Sequence, residues 1–399
     1  MTHKELVVVN LFLGVLIVFF GLLTLGTSLN QSPLAMVANA IKNDTAATQA
    51  QLQNDQIKRC NKASPLLFPE HEDDPHLIKL KVYQDMCQSF VTDTLMVFTG
   101  FPQDATTAEA DATVMAKKLI LLSTSGIKPI VVAEPYATSG AVSYRDFING
   151  KYDLTLQIYF EKIHDLGVTD KMMGTWVPFP ESNTPNWNNK DTEPHDFALC
   201  VNKYLSAYKK QFPSAQGSIL LNATTYDPND LEYDNGDYLD LTPYVQDINK
   251  SLVSSLGIQG FPWISNATVK RRDIFRASEF LQPDLAISAA RELRTRNIWF
   301  NTGSFARKYT NDPAKLMTVS NSDRKAILSG ILETANSVQD YQQNNYRVSI
   351  NLFSEDKSDT TEATDWSYFQ NDDSKTILRY FLSEAQNLDI PISIYDKSK

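Results

Sequence analysis

Cysteine is scarce: three residues in 399, an odd number that rules out a complete disulfide framework. Cys60 and Cys87 flank a proline- and acid-rich segment and could pair in an oxidising compartment. Cys200 falls on the apolar side of a helical pattern and reads as a buried thiol. No Cys/His cluster has zinc-ligand spacing, and His164 and His195 are isolated, so no metal site is expected. No Gly-x-Gly-x-x-Gly follows a strand pattern and no phosphate-loop motif occurs, which leaves nucleotide-binding folds without local support; no cofactor is expected. Basic residues are also in deficit. Against 47 Asp and Glu stand 37 Lys and Arg, and the net charge of −10 would be repelled by a phosphate backbone, so nucleic acid is excluded as a partner. The acidic loop carrying Asp227, Asp230, Asp234, Asp237 and Asp240 misses calcium-loop spacing, because its glycine falls one place late. It reads as a solvated loop.

What is present begins with an apolar run, Leu6–Gly26, long enough to cross a bilayer, which takes about 20 such residues. It is longer than a secretory signal core, so an uncleaved N-terminal transmembrane helix is expected over residues 1–28. Residues 29–59 are rich in Asn, Gln, Ala and Ser and read as a stalk. The remainder, 60–399, is then an extracytoplasmic domain on a single-pass cell-membrane protein.

Within that domain strand and helix patterns alternate. Strands are expected at Leu95–Gly100, Lys128–Pro135, the run leading to Glu181, Ser218–Tyr226, Gly257–Trp263, Asn297–Gly303, Tyr346–Phe353 and Ile390–Tyr395. Helices are expected between them, at Ala108–Ser123, Phe147–Leu166, Phe197–Gln211, Leu241–Leu256, Pro283–Arg294, Asp323–Gln342 and Thr376–Gln386. Alternation predicts a parallel sheet, and eight strands predict a closed (β/α)8 barrel.

Such a barrel builds its site at the carboxyl ends of its strands, and here those ends are polar and aromatic. They carry Glu134 and Tyr136; Glu181, Asn183 and Trp187; Asn222 and Tyr226; Trp263; Asn301; and Glu355, Asp356 and Trp366. The stretch from Met172 to Trp187 is the most pointed. Pro178 and Pro180 stop the strand, and an acid, an amide and an indole follow at once. An acid can protonate a glycosidic oxygen and an amide can hold a hydroxyl, while an indole can stack on a pyranose face. Each also has a structural reading. Glu134 could cap its loop, Asn222 and Asn301 could form turns, and Trp263 could be core.

Three segments resemble one family. Gly150-Lys-Tyr-Asp153 opens a helix, one strand ends in Ala133-Glu-Pro, and a later one ends in Pro180-Glu-Ser-Asn-Thr-Pro-Asn-Trp187. Together they resemble the barrel glycoside hydrolases of the mannanase and lichenase type, glycoside hydrolase family 26. The layout is similar from about Leu95 to Phe353, with detail confined to the Glu181 region. The resemblance implies a TIM barrel in which Glu181 is the proton donor, Asn183 a sugar-binding amide and Trp187 a stacking platform. It also implies departures. Pro180 stands where the family has histidine, and the run Ile298–Phe305, matching the nucleophile strand, has no carboxylate. Glu181 follows the third strand counted, not the fourth, so an early strand in residues 60–90 or a permuted order is expected. The second carboxylate would come from Glu134, Asp227, Glu355 or Asp356.

Two functions follow. One is a membrane-anchored glycosidase acting on a polysaccharide, with Glu181 as general acid and Glu355 or Glu134 as its partner. The other is an inactive barrel that binds glycan or a partner protein through the same mouth. A structural surface protein without a ligand site ranks below both.

Overall fold

A computed structural model describes residues 94–102, 104–124, 126–137, 140–183, 193–223, 240–262, 276–304, 307–308, 317–343, 345–354, 356–357, 364–368 and 372–396. The apolar run Leu6–Gly26, the stalk, Cys60 and Cys87 lie outside these residues. So do residues 224–239 of the acidic loop and the candidates Trp187, Tyr226, Trp263 and Glu355. Among the described residues no helix is long and apolar enough to cross a membrane.

Eight parallel strands close into a barrel. They are β1 Thr94–Thr99, β2 Lys128–Ala133, β3 Thr175–Pro178, β4 Gln216–Asn222, β5 Ser255–Gln259, β6 Asn297–Thr302, β7 Arg347–Ser354 and β8 Ile392–Asp396. Neighbours in space are neighbours in sequence, and β8 meets β1 through the pair Leu95–Ile394. This settles the strand order. The barrel needs no early strand and is not permuted: Glu181 follows the third strand.

The helices are α1 Ala105–Thr124, α2 Tyr144–Ile148, α3 Asp153–Asp165, α4 Asp170–Met173, α5 Pro194–Gln211, α6 Thr242–Gln246, α7 Ala277–Leu281, α8 Pro283–Glu292, α9 Asn321–Gln339 and α10 Asp372–Asn387. The starts of α1 and α9 follow from capping chemistry. The Asp104 carboxylate accepts from the N–H groups of Thr106 and Thr107, both at 2.9 Å, and Ser320 accepts from Asp323 N–H at 3.1 Å. Two helix expectations are corrected. The span 147–166 is broken by a turn in which Gly150 adopts φ +92°, a conformation costly for any other residue. The span 241–256 is helical only over Thr242–Gln246, although Leu241, Val245, Ile248, Leu252 and Val253 are all buried. Its apolar spacing reports burial, not helix.

The core has two layers. Between strands and helices, Trp176 is fully buried against Tyr159, Phe160, Tyr204 and Tyr208. The second layer fills the lumen, where side chains two strands apart meet, as they can only on the concave face. Trp299 of β6 donates through Nε1 to Ser218 Oγ of β4 at 3.0 Å, passing over Gly257 of β5. A Cβ on Gly257 would lie 2.3 Å from the indole, so the residue must be glycine for the ring to lie flat there.

The connections after β6 and β7 carry a feature that periodicity did not announce. Two-residue strands at Arg307–Lys308, Met317–Thr318, Asp356–Lys357 and Thr364–Asp365 join in an antiparallel sheet. Two separate loops at the carboxyl rim are thereby tied to each other.

Candidate functional site

The carboxyl rim between β2 and β4 is shaped by an interrupted strand. β3 pairs with β4 only at Thr175–Gln216 and Trp176–Gly217 before Pro178 ends it. Phe179 then takes φ +52° and Glu181 φ +58°, with Pro180 between them. Two non-glycine residues in the left-handed region this close together are costly, of order 1–3 kcal/mol each, and persist only where the surroundings over-determine them.

The surroundings do so here. The left-handed turn at Phe179 sends its ring among Phe101, Tyr144, Phe147 and Tyr204, where it is fully buried. The Ser182 hydroxyl donates to Phe179 O at 2.8 Å and shares a short hydrogen bond with the Tyr144 hydroxyl. The Asn183 amide donates to Asn222 O and accepts from Asn222 N–H, both at 2.8 Å. Glu181 is held in the middle of this turn. Its N–H is fixed to Leu220 O at 2.9 Å while its side chain stays half-exposed.

Glu134 lies on the neighbouring strand end. Ala133 is paired with Pro178, and Glu134 N–H extends the ladder by donating to Thr99 O at 2.8 Å. The alternation of β2 (Lys128, Ile130, Val132) puts Glu134 on the lumen side. Adjacent strands lie about 4.8 Å apart, so the two glutamates stand at one sector of the rim. Tyr136, two residues on, is 50% exposed.

A belt of largely buried polar side chains runs from the end of β4 into the lumen at β7 and β8. Asn222, Gln259, Asn301, Asn351 and Ser393 occupy one level, each paired in register with the next. Their side chains form a directed chain. Ser393 Oγ donates to Asn351 Oδ1 at 3.0 Å, and Asn351 Nδ2 donates to Asn301 Oδ1. Asn301 Nδ2 donates to Gln259 Oε1 at 2.6 Å, and Gln259 Nε2 to Asn222 Oδ1 at 3.0 Å. Every donor points toward β4. Such chains polarise along their length, so the amide of Asn222 sits at the strengthened donor end, beside the Glu181 turn.

The structure therefore gathers Glu134, Glu181, Asn183, Asn222 and Asn301 at one end of the barrel, with Tyr136 close by. Two roles are corrected. Asn183 is 6% exposed and both ends of its amide are committed to Asn222, so it serves the backbone instead of holding a hydroxyl. Trp366 is 1% exposed and packed edge-on against Phe261 and Phe353, so it offers no open ring face. Asp356 pairs with Asp365 in the small sheet. The Gly150-Lys-Tyr-Asp element is structural: Asp153 binds Lys203 at 3.0 Å and the Tyr152 ring stacks on Phe147. Gln259 and Asn351 join the site without any mark in their local sequence. Their signal is a polar residue at the same register position on the lumen face of successive strands, visible only once strands are paired. Cys200 is a buried free thiol, and burial pushes its pKa up. Among the described residues no group of three or more potential metal ligands gathers.

No protein-family model matches the chain, and no curated protein matches it. Solved structures do. An exo-β-1,4-mannosidase from an Opitutaceae bacterium, strain TAV5, superposes with TM-score 0.50 at 12% identity, covering 80% of this chain and 56% of that one. A GH26 β-mannanase from Bacteroides ovatus gives TM-score 0.49 at 7% identity over 77% of this chain and 83% of that one. An endo-β-1,4-mannanase from Thermotoga petrophila gives 0.43 at 11% identity over 73% and 70%. The structural neighbours are thus mannanases and other barrel glycosidases. At 12% identity the likeness to the first of these shows the barrel fold alone.

Proposed function

We propose that this chain acts on a polysaccharide at the carboxyl rim of its barrel, with Glu181 as general acid. The observation that carries this reading is the turn around Glu181. Two left-handed residues, a buried aromatic ring, a buried hydroxyl and a doubly bonded amide hold the backbone of a partly buried glutamate in one conformation. Backbone strain of this kind clusters at functional sites, and a catalytic acid must be held within a fraction of an ångström of its task. The fold shared with barrel glycosidases supports a saccharide ligand. Glu134, on the adjacent strand end, is the described carboxylate placed to be its partner, and Glu355, one residue past β7, is the other candidate. Hydrolysis needs the two carboxyls about 5–5.5 Å apart for retention or about 6.5–9.5 Å for inversion.

A specific observation favours a second reading, binding without hydrolysis. The family resemblance assigns its acid to the fourth strand, yet β4 ends in Asn222 and then Ala223, which is fully buried. In this reading Glu181, Glu134 and the exposed Tyr136 hold glycan hydroxyls and no bond is cleaved. We also propose that residues 1–28 anchor the chain in the cell membrane, 29–59 form a stalk, and the barrel domain of 60–399 faces outward; alkaline carbonate extraction of membranes tests this, and release of the protein contradicts it.

The experiment that separates the readings uses the purified full-length chain on mannan, mixed-linkage glucan and xylan. Retardation in gels containing one polymer, with new reducing ends, supports hydrolysis. Retardation without reducing ends supports binding. Neither retardation nor cleavage on any polymer removes the saccharide reading.

A further inference from the structure

Arg324, in the first turn of α9, is 1% exposed and meets no carboxylate among the described ion pairs. Its Nη1 donates to Ser374 Oγ at 3.2 Å, and its Nη2 to the carbonyls of Ser304 and Ser367 at 3.1 and 3.3 Å. The guanidinium lies 4.5 Å from the Tyr368 ring centroid. All four are neutral groups, and burial pushes the Tyr368 phenol pKa up, so it supplies no counter-charge. Of the nearby acids, Asp365 accepts Ser367 N–H at 2.9 Å, Asp323 is half-exposed at the helix start and Asp373 is exposed. A buried guanidinium without an opposite charge is costly. Here the cost is raised, since Arg324 and its partner Ser374 sit in the first turns of α9 and α10, where helix dipoles are positive.

Around this cation three buried polar atoms have no hydrogen-bond partner: Arg324 Nε, Ser304 Oγ and Thr302 Oγ1. Ser304 is tied to Arg324 directly, and Thr302 is its neighbour two residues back along β6. Thr302 and Ser304 are two residues apart along extended chain, so their side chains leave the same face, and Ser304 O is itself bound to Arg324. The lumen face of β6 is taken by Trp299 and Asn301, so this face is the one turned to the helices. Three unmatched donors beside an unmatched positive charge match the chemistry of an anion. Buried polar groups are otherwise almost always paired.

We propose that Arg324, Ser304 and Thr302 bind a small monovalent anion of the halide class, chloride under ordinary conditions, between β6 and the first turn of α9. The ion completes the valence of three donors and supplies the missing charge. Its site lies where the connections after β6 and β7 and the starts of α9 and α10 converge, so it fastens that side of the rim. The proposal is independent of the saccharide reading.

The test uses the full chain. Crystals soaked in sodium bromide are expected to show an anomalous peak beside Arg324 Nε. The melting temperature is expected to rise saturably with chloride or bromide, relative to gluconate at equal ionic strength. Ser304→Ala is expected to shift the halide midpoint upward about tenfold, the loss of one hydrogen bond to a charged group. Should that variant fail to fold, the bromide peak in the unaltered chain decides alone. A water molecule at the position with no anomalous signal, or equal melting in halide and gluconate, overturns the proposal.

Discussion

Asn183 completes the ladder that β3 abandons: its side-chain amide exchanges two hydrogen bonds of 2.8 Å with the backbone of Asn222. A side chain thus stands in for a strand residue at the point where prolines and left-handed residues end regular pairing. Asn183→Ala leaves a buried N–H and carbonyl unpaired, at about 1–3 kcal/mol. The expected result is a lower urea midpoint at unchanged m-value. Asn183→Asp keeps the acceptor but sets a carboxylate against Asn222 O, and is expected to be at least as damaging near neutral pH. Stability unchanged in both variants would remove this account of the turn.

Gly257 is the second constraint. Alanine there meets the Trp299 indole, so the ring must move and release Ser218 Oγ. Gly257→Ala is expected to cost about 1–3 kcal/mol by overpacking, read by chemical denaturation. A change in native tryptophan emission should accompany it.

Alkaline pH supplies a third test. Burial pushes the Cys200 thiol and the phenols of Tyr159, Tyr204 and Tyr208 above their ordinary values. Their folded pKa values exceed the unfolded ones, so their contribution is fully present below the ordinary thiol and phenol range. It is lost as pH rises through that range toward the raised native values. Stability measured from pH 8 to 11 should therefore fall steadily. Peptide mapping after thiol labelling should find Cys200 unmodified in the native protein and modified after unfolding. Rapid native labelling of Cys200 would contradict its burial.

The barrel was legible because alternating strand and helix patterns survive in local sequence. All eight strands lie within a few residues of their expected places, and they follow one another in plain order. The small sheet over the rim was not legible, since strands of two residues have no period. Nor was the short helix Thr242–Gln246, where helical spacing of apolar residues continued past the helix into buried turns. In the site, Glu134 and Glu181 could be read because prolines next to them mark strand ends. The role of Asn183 could not, because it depends on where β3 stops pairing with β4. Trp366 is a candidate by its place after a strand end, but Phe261 and Phe353 cover it. Gln259 and Asn351 gain meaning only from register, which no single strand reveals.

The account rests on Glu181 being presented to a saccharide at the carboxyl rim. The most direct measurement compares the full-length chain with Glu181→Gln on the polysaccharide it retains best, following both reducing-end release and retention in the gel. The account predicts that the substitution abolishes release, or weakens retention about tenfold if the chain only binds, a loss of about 1.4 kcal/mol. Identical release and identical retention in the two proteins would contradict it.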